Sequence, residues 1–99
     1  RRPVEEFIER LPAKDKAIFI ALRKGIELYG MDYPGVRFRQ FEGKLWEIKF
    51  TGPGGGFRVV YVLLEGQRMV WLHALRKKTQ KTPLTDLRLA QQRMKEVMP

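Results

Sequence analysis

Two cationic side chains on neighbouring predicted strands could together bind a phosphate group. Lys49 lies in the segment from Leu45 to Phe50 and Arg58 in the segment from Phe57 to Leu64, and both segments have the period of a strand. If the bulky alternate residues of each strand form the core, Lys49 and Arg58 share the opposite face. Arginine offers a planar fork of donors and lysine a point charge, which suits a phosphate. An ordinary solvated sheet face is the alternative interpretation.

The last predicted strand, from Met69 to Leu75, brings further candidates to this face. Its alternation aligns His73 and Lys77 with Met69, Trp71 and Leu75. His73 is the single histidine, and it could act as a general acid or base or be a hydrogen-bonded core residue. Glu47 shares the face of Lys49, where it could act as a base or pair with a cation.

A basic run follows this strand. Residues 76–82 contain the four cations Arg76, Lys77, Lys78 and Lys81. They precede a predicted final helix, for which Thr82 is the expected N-cap and Pro83 the first residue. Backbone N–H groups at that helix start could also bind an anion. The competing interpretation is a solvated loop.

These residues could cleave RNA without a metal ion. In such a reaction the 2′-hydroxyl attacks the adjacent phosphate, a base takes its proton, and an acid protonates the departing 5′-oxygen. Lysine and arginine would stabilise the charge that gathers on the phosphate oxygens. A lysine desolvated among other cations loses its proton more readily, so it is a second kind of candidate base. We therefore expect neither a metal nor a cofactor.

Composition limits the classes of protein to which the chain can belong. It has 99 residues, with 20 Lys+Arg against 11 Asp+Glu, hence a formal net charge of +9. Such a basic domain is typical of a protein with a polyanionic partner. The absence of cysteine and the single histidine exclude a disulfide scaffold and a thiolate or multi-histidine metal site. With no membrane span and no signal peptide, we expect one cytoplasmic domain over residues 1–99.

Helical periodicity changes to strand periodicity along the chain. Apolar residues three or four apart predict helices from Pro3 to Pro12 and from Ala13 to Tyr29. Three or four antiparallel strands follow, the first being an edge strand from Val36 to Phe41. The segment from Thr51 to Gly56 is expected to be a flexible loop, and residues 65–67 a hairpin connection. This order predicts an α+β fold in which two helices cover one sheet face and charged residues occupy the other.

Several segments resemble one known superfamily. They are Leu45-Trp-Glu-Ile-Lys49, Phe57-Arg-Val-Val-Tyr61 and Leu72-His-Ala-Leu-Arg-Lys-Lys-Thr-Gln-Lys-Thr-Pro83, in that order. With the start Pro3-Val-Glu-Glu-Phe7, they resemble the HigB-like branch of the RelE/ParE toxins of bacterial type II toxin–antitoxin systems. The resemblance covers nearly the whole chain. It implies a RelE-like fold, with two N-terminal helices on a three- to four-stranded antiparallel sheet and a C-terminal helix.

The resemblance also implies a function and partners. It implies a toxin that cleaves mRNA in the ribosomal A site without a metal, and a hetero-oligomer with a cognate HigA-like helix-turn-helix antitoxin. Lys49 matches a lysine at the scissile region, Arg58 a phosphate-stabilising arginine and Lys77 a basic residue after the last strand. The expected catalytic residues are Lys49, Arg58, His73, Lys77 and Glu47. The expected RNA-binding residues are Arg37, Arg39, Arg76, Lys78 and Lys81.

The chain departs from the family pattern at three points. The short strand that usually precedes the Pro3-Val-Glu-Glu-Phe7 segment is absent from the sequence. Glu47 stands where the RelE pattern has a second lysine, and no aromatic residue follows Pro83. These differences affect the acid and the base more than the phosphate-binding residues. The alternative functions are a ParE-like gyrase inhibitor and a non-catalytic nucleic-acid-binding domain.

Overall fold

The fold is α+β, with three α-helices and a four-stranded antiparallel sheet. The computed structural model describes residues 2–65, 68–78 and 80–98. The elements are, in order, α1 (Pro3–Glu9), α2 (Ala13–Tyr29), a 3-10 turn (Gly30–Asp32), β1 (Arg37–Glu42), β2 (Leu45–Gly52), β3 (Gly55–Leu64), β4 (Arg68–Arg76) and α3 (Leu84–Val97). Two residues of the predicted hairpin connection, Gly66 and Gln67, lie outside the described residues. Within the described part of the chain, no helix is both long and apolar enough to cross a membrane.

The sheet is a simple meander. Its strand order is β1-β2-β3-β4, and each neighbouring pair is antiparallel. Strand β1 is therefore an edge strand, as its sequence predicts, and β4 forms the other edge. Each strand therefore lies next to the strands that precede and follow it in the chain.

Helices α1 and α2 cover one face of the sheet, as expected. Alternate strand residues on this face form the first core cluster, together with apolar residues of both helices. At its centre Phe19 of α2 packs edge-on against Phe57 of β3, with ring centroids 5.1 Å apart. Both rings are buried, Phe19 at 1% and Phe57 at 0% exposure. This face contributes most of the large buried side chains that hold the helices on the sheet.

Helix α3 packs on the opposite face, which corrects the prediction that charged residues occupy it. A second core cluster contains Leu45, Val60, Val62, Leu72, Leu75 and Ala90. Ala90, the buried residue of α3, has 0% exposure. An amphipathic helix buries its apolar stripe wherever a matching surface exists, and alternate residues of β2, β3 and β4 supply one. Glu47, Lys49 and Arg58 lie on this same face of β2 and β3, beside the second core cluster.

A β-bulge interrupts the alternation of β4. Val60 pairs with His73, yet the next residue of β3, Tyr61, pairs with Trp71, so β4 has one extra residue at this point. A one-residue shift moves every later side chain to the other face. The prediction that Trp71 and Met69 share a face with His73 was therefore wrong. Both pack against the first core cluster, while His73 lies on the face of α3.

The glycine-rich segment is a tight hairpin rather than the flexible loop predicted. Strand β2 continues to Gly52 and β3 begins at Gly55, and these two residues pair with each other. Only Pro53 and Gly54 form the turn. A Cβ at Gly54 would lie 2.5 Å from the Asp15 carboxylate, so a glycine is needed there for close packing against α2. The glycines thus permit a packed contact and not a loose loop.

The start of α3 also differs from its prediction. The helix begins at Leu84, so Pro83 occupies the N-cap position and not the first helical position. No side chain caps the helix by a hydrogen bond. The hydroxyl of Thr82, the expected cap, instead bonds to Arg58 and Glu47 on the sheet. Tertiary hydrogen bonds have therefore replaced a local one.

Tyr61→Phe is expected to stabilise the fold. The Tyr61 ring is buried and stacks on Trp46 with centroids 6.0 Å apart, but its hydroxyl has no hydrogen-bond partner among the described residues. Because an unpaired buried hydroxyl costs about 1–3 kcal/mol, removing it should raise the free energy of unfolding by about 1 kcal/mol in urea denaturation. The exposed Tyr29 gives the control, Tyr29→Phe, which should leave stability unchanged.

Alkaline pH provides a second test of the same side chain. Burial raises the pKa of Tyr61 from 10.0 to about 12. Since the unfolded chain ionises first, the folded chain should lose stability as the pH rises from 10.0 to about 12. Tyr61→Phe should lack this component of the loss. If both proteins lose stability equally over this range, the buried hydroxyl is not responsible.

Candidate nucleic-acid interface

An open groove beside the sheet is lined by cations. It has a volume of about 1070 Å³ and lies between the start of β1, the end of β2, the start of β3 and the segment after β4. Among the described residues, the cations that line it are Arg37, Lys49, Lys77 and Lys78, and no acidic residue lines it. We call these four residues and the space between them the cationic groove. Its charge suits the phosphates of a polyanion.

Strand register explains how these residues meet. Arg37 of β1 pairs with Lys49 of β2, and Lys49 pairs with Arg58 of β3, so all three lie in one row across the sheet. Lys77 follows β4, and its backbone N–H donates to the carbonyl oxygen of Gly56 at 2.9 Å. That bond fixes Lys77 beside the start of β3, next to the end of β2. The expected proximity of Lys49, Arg58 and Lys77 thus follows from the pairing of three consecutive strands.

Arg58 lies beneath the surface and does not line the cationic groove. It is 1% exposed. Its guanidinium donates from Nη1 to Thr82 Oγ1 at 2.9 Å and from Nη2 to the carbonyl oxygen of Gln80. Both acceptors belong to the segment of residues 77–83, called here the basic connection, which passes over Arg58. Thr79 of this segment lies outside the described residues.

Glu47 is a buried carboxylate surrounded by donors. It is 1% exposed, and its Oε1 lies 3.0 Å from Arg39 Nη2 and 3.6 Å from Lys49 Nζ. Its other oxygen, Oε2, accepts from Thr82 Oγ1 at 3.4 Å. A buried charge needs such partners. Glu47 therefore fixes the Lys49 side chain at the wall of the groove, and Arg39 is directed to Glu47 and does not line the groove.

His73 lies with α3 and not with the groove. Its Nε2 is 2.6 Å from Asp86 Oδ1, and its Nδ1 is 2.7 Å from Arg93 Nη1. Because arginine can only donate, Nδ1 must accept, so Nε2 carries the proton and donates to Asp86. Arg93 Nη1 also donates to the carbonyl oxygen of Leu72 at 3.0 Å. With both ring nitrogens bonded to residues of α3, His73 anchors that helix on β4.

Arg76 points to the other face of the sheet. Its Nη2 lies 2.9 Å from Asp15 Oδ2, its Nη1 donates to the Gly54 carbonyl at 3.1 Å, and its guanidinium covers the Phe57 ring at 4.6 Å. Of the other expected RNA-binding residues, Lys78 lines the groove and Lys81 is exposed on the basic connection. Arg76 is thus part of the packing between α2 and the sheet.

Comparison with known proteins places the chain in a family. The family model described as "Phage derived protein Gp49-like (DUF891)" matches residues 6–95, nearly the whole chain. The chain belongs to the Gp49-like family. It is a toxin-like family related to the RelE/HigB-type toxins. No curated protein and no solved structure matches the chain.

The Gp49-like chain has no evident metal site in the part that the structure describes. Residues 2–65, 68–78 and 80–98 contain no group of three or more His, Cys, Asp or Glu side chains placed to hold a metal ion. The buried acid Glu47 is bonded to cations and a hydroxyl instead. The side chains that bring positive charge to the cationic groove are Arg37, Lys49, Lys77 and Lys78.

Sequence reasoning missed two residues that position the groove of this Gp49-like chain. Thr82 was expected to cap a helix but instead joins Arg58 to Glu47. Asp15 is 2% exposed and bonds to both Arg76 and the backbone N–H of Gly54. The sequence shows an acidic residue in the first turn of α2 and, separately, a glycine-rich segment after β2. No local pattern indicates that Asp15 contacts this segment, because the two are 39 residues apart.

Asp15→Asn is expected to weaken the fold in a pH-dependent way. The Arg76 side chain, then the Gly54 N–H, hold the pKa of Asp15 below its usual 3.8. A lowered pKa stabilises the folded chain above about pH 3.8, and this contribution is lost as the pH falls through the folded value. Urea denaturation should therefore show a difference between wild type and Asp15→Asn at pH 6 that shrinks below about pH 4. A constant difference would contradict this, and Asp32→Asn on the exposed 3-10 turn is the control.

Proposed function

We propose that the chain is the toxin of a type II toxin–antitoxin system and a ribosome-dependent, metal-independent mRNA endoribonuclease with a RelE-like fold. The observation that carries the proposal is the cationic groove, whose lining residues include four cations and no acid. Membership of the Gp49-like family supports the toxin class. Lys49 and Lys77 both line this groove, which supports the binding of a phosphate between them.

The proposed reaction is an intramolecular transfer at the scissile phosphate of the mRNA. The 2′-oxygen forms a bond to phosphorus while the bond from phosphorus to the 5′-oxygen breaks, which leaves a 2′,3′-cyclic phosphate and a 5′-hydroxyl. Lys49 and Lys77 stabilise the added negative charge on the phosphate oxygens. Arg37 and Lys78, the other two cations of the groove, bind neighbouring phosphates.

Proton transfer in this reaction is assigned to the carboxylate beside Lys49. Glu47 Oε1 lies 3.6 Å from Lys49 Nζ. The Lys49 ammonium group gives one proton to Glu47, and the neutral amine that results takes the proton of the 2′-hydroxyl, which restores the charge of Lys49. The proton that the departing 5′-oxygen needs then comes from Lys77, which also lines the groove. His73 is the sequence-based alternative for either step, but its ring nitrogens are engaged by α3.

The proposal includes partners of two kinds. The formal net charge of +9 favours ribosomal RNA and mRNA, with an affinity that falls as salt rises. An acidic segment of a cognate HigA-like helix-turn-helix antitoxin would bind the same cations and form a hetero-oligomer with the toxin. Because ribosomes are the site of the reaction, the protein acts in the cytoplasm.

One set of assays separates the proposal from its alternatives. The purified chain is added to ribosomes programmed with a defined mRNA, to the naked mRNA, and to DNA gyrase, with Mg²⁺ kept constant and no transition metal added. The proposal expects cleavage of the mRNA on ribosomes only. Inhibition of gyrase without cleavage would favour a ParE-like function. RNA binding without either effect would favour a non-catalytic nucleic-acid-binding domain.

A further inference from the structure

We infer that Arg58 is a positioning residue, which holds the basic connection beside the cationic groove and does not itself bind the RNA phosphate. This inference rests on the proposed function and gives Arg58 a different task from the one that the family resemblance implies. Its starting observation is burial. Arg58 is 1% exposed, and it is the largest fully buried side chain in the structure's described part. A guanidinium so covered does not meet a ligand in the groove.

The guanidinium group of Arg58 points toward the basic connection. Nη1 donates to Thr82 Oγ1 at 2.9 Å and Nη2 donates to the Gln80 carbonyl oxygen, so two acceptors two residues apart are held by one planar group. A planar fork loses little freedom when it makes two such bonds. The bonds therefore tie the second half of the connection to the middle strands of the sheet.

The hydroxyl of Thr82 connects Arg58 to the residues at the groove wall. It accepts from Arg58 and donates to Glu47 Oε2 at 3.4 Å. Glu47 in turn lies 3.6 Å from Lys49 Nζ. Arg58, Thr82, Glu47 and Lys49 thus form one chain of contacts from beneath the connection to the groove wall. Loss of the Thr82 hydroxyl would break this chain without removing any cation.

The connection is held at its first half as well. The Lys77 N–H donates to the Gly56 carbonyl at 2.9 Å, and the preceding Arg76 is bonded to Asp15. Lys77 and Lys78 are exposed and line the groove. In the chain they lie between the contacts of Arg76 and those that Arg58 makes to Gln80 and Thr82. Long lysine side chains on a free loop would have to be ordered when RNA binds, at a cost in affinity. Arg58 reduces this cost by holding the backbone that carries them.

The binding test mixes the chain of residues 1–99 with a single-stranded RNA tetranucleotide that carries a fluorescent label at its 5′ end. Fluorescence anisotropy measures the binding affinity at several salt concentrations. Arg58→Ala and Thr82→Val should each weaken binding by about threefold to tenfold, the effect of one or two hydrogen bonds. The double variant should be no weaker than Arg58→Ala, because both changes break one restraint. Thr85→Val, an exposed threonine in the first turn of α3, is the matched control and should bind as wild type.

Direct phosphate binding by Arg58 predicts a different pattern. Arg58→Ala would then reduce the steepness of the salt dependence by about 0.7, the value for one contact to a single strand. Thr82→Val would bind like Thr85→Val. This pattern would overturn the inference. If Arg58→Ala does not fold, the comparison of Thr82→Val with Thr85→Val decides between the two.

Trypsin digestion gives a measurement that needs no RNA. Cleavage after Lys77, Lys78 and Lys81 should be faster in Thr82→Val than in Thr85→Val, because the connection is released. The inference would be overturned if trypsin cleaved Thr82→Val no faster than Thr85→Val. It would also be overturned if trypsin cleaved Thr82→Val faster while the RNA affinity of this variant stayed that of wild type. If the wild-type chain does not bind the tetranucleotide, trypsin digestion decides whether Arg58 anchors the connection, and the assay on programmed ribosomes separately decides the proposed function.

Discussion

Lys49→Ala is expected to slow mRNA cleavage on ribosomes by about 10²–10³-fold, the loss typical of removing one group that stabilises transition-state charge. The Lys49 side chain is 20% exposed and lies between a buried carboxylate and the groove. That placement limits its motion and directs its ammonium group to one point of the wall. The rate is measured by primer extension of a defined mRNA under single-turnover conditions, with the ribosomes saturated by toxin so that weaker docking does not contribute.

A charge-matched variant separates catalysis from general charge. Lys24→Ala removes one positive charge from an exposed position of α2 that does not line the cationic groove. It should cleave within about twofold of wild type, because a distant exposed charge is screened at physiological salt. Equal rates for Lys49→Ala and Lys24→Ala would show that the groove is not where cleavage occurs.

Phe57→Ala is expected to lower the free energy of unfolding by about 3–5 kcal/mol, as other large-to-small changes of buried aromatic residues do. Phe57 is 0% exposed, with its ring centroid 5.1 Å from that of Phe19 and 5.5 Å from that of Phe50. The Arg76 guanidinium also covers this ring. The variant therefore leaves a cavity where α2, β2, β3 and β4 meet. Urea denaturation followed by far-ultraviolet circular dichroism measures the change.

An exposed apolar residue provides the comparison for Phe57. Leu28 is 77% exposed on α2, so Leu28→Ala should change the free energy of unfolding by no more than about 0.5 kcal/mol. If Phe57→Ala also costs less than about 1 kcal/mol, the first core cluster is not packed as described.

Regular periodicity made much of the fold predictable. The spacing of apolar residues predicted a helix from Ala13 to Tyr29, and α2 has these bounds. Alternation in the middle of β2 and β3 assigned Trp46 and Glu47 to opposite faces correctly. These features depend on neighbouring residues in the chain, which is the information that periodicity contains.

Features that depend on tertiary contacts were not predictable in this way. The bulge that moves Trp71 to the other face is set by pairing with β3, and no local pattern in β4 marks it. The hairpin at Gly54 is short because Asp15 of α2 bonds to its backbone. Thr82 has the composition of a helix cap, but Arg58 and Glu47 bind its hydroxyl instead. In each case a residue distant in sequence decides the outcome.

The candidate site was predictable where it lies in the regular part of the strands. Lys49 and Arg58 pair across β2 and β3, as their alternation implied. The end of β4 was not predictable, because the face of its last residues depends on the bulge and on α3. Arg76 consequently packs against α2, and His73 bonds to α3 rather than facing the groove. Burial of Arg58 likewise depends on the path of the basic connection.

The central claim is that the 2′-hydroxyl of the mRNA attacks the phosphate held in the cationic groove. The most direct test places a single 2′-O-methyl nucleotide at the position cleaved on programmed ribosomes and identifies the product ends by mass spectrometry. The account predicts a 2′,3′-cyclic phosphate and a 5′-hydroxyl from the unmodified mRNA and no cleavage at the methylated position. Cleavage that continues at the methylated nucleotide, or unmodified mRNA that stays intact on ribosomes, would contradict the account.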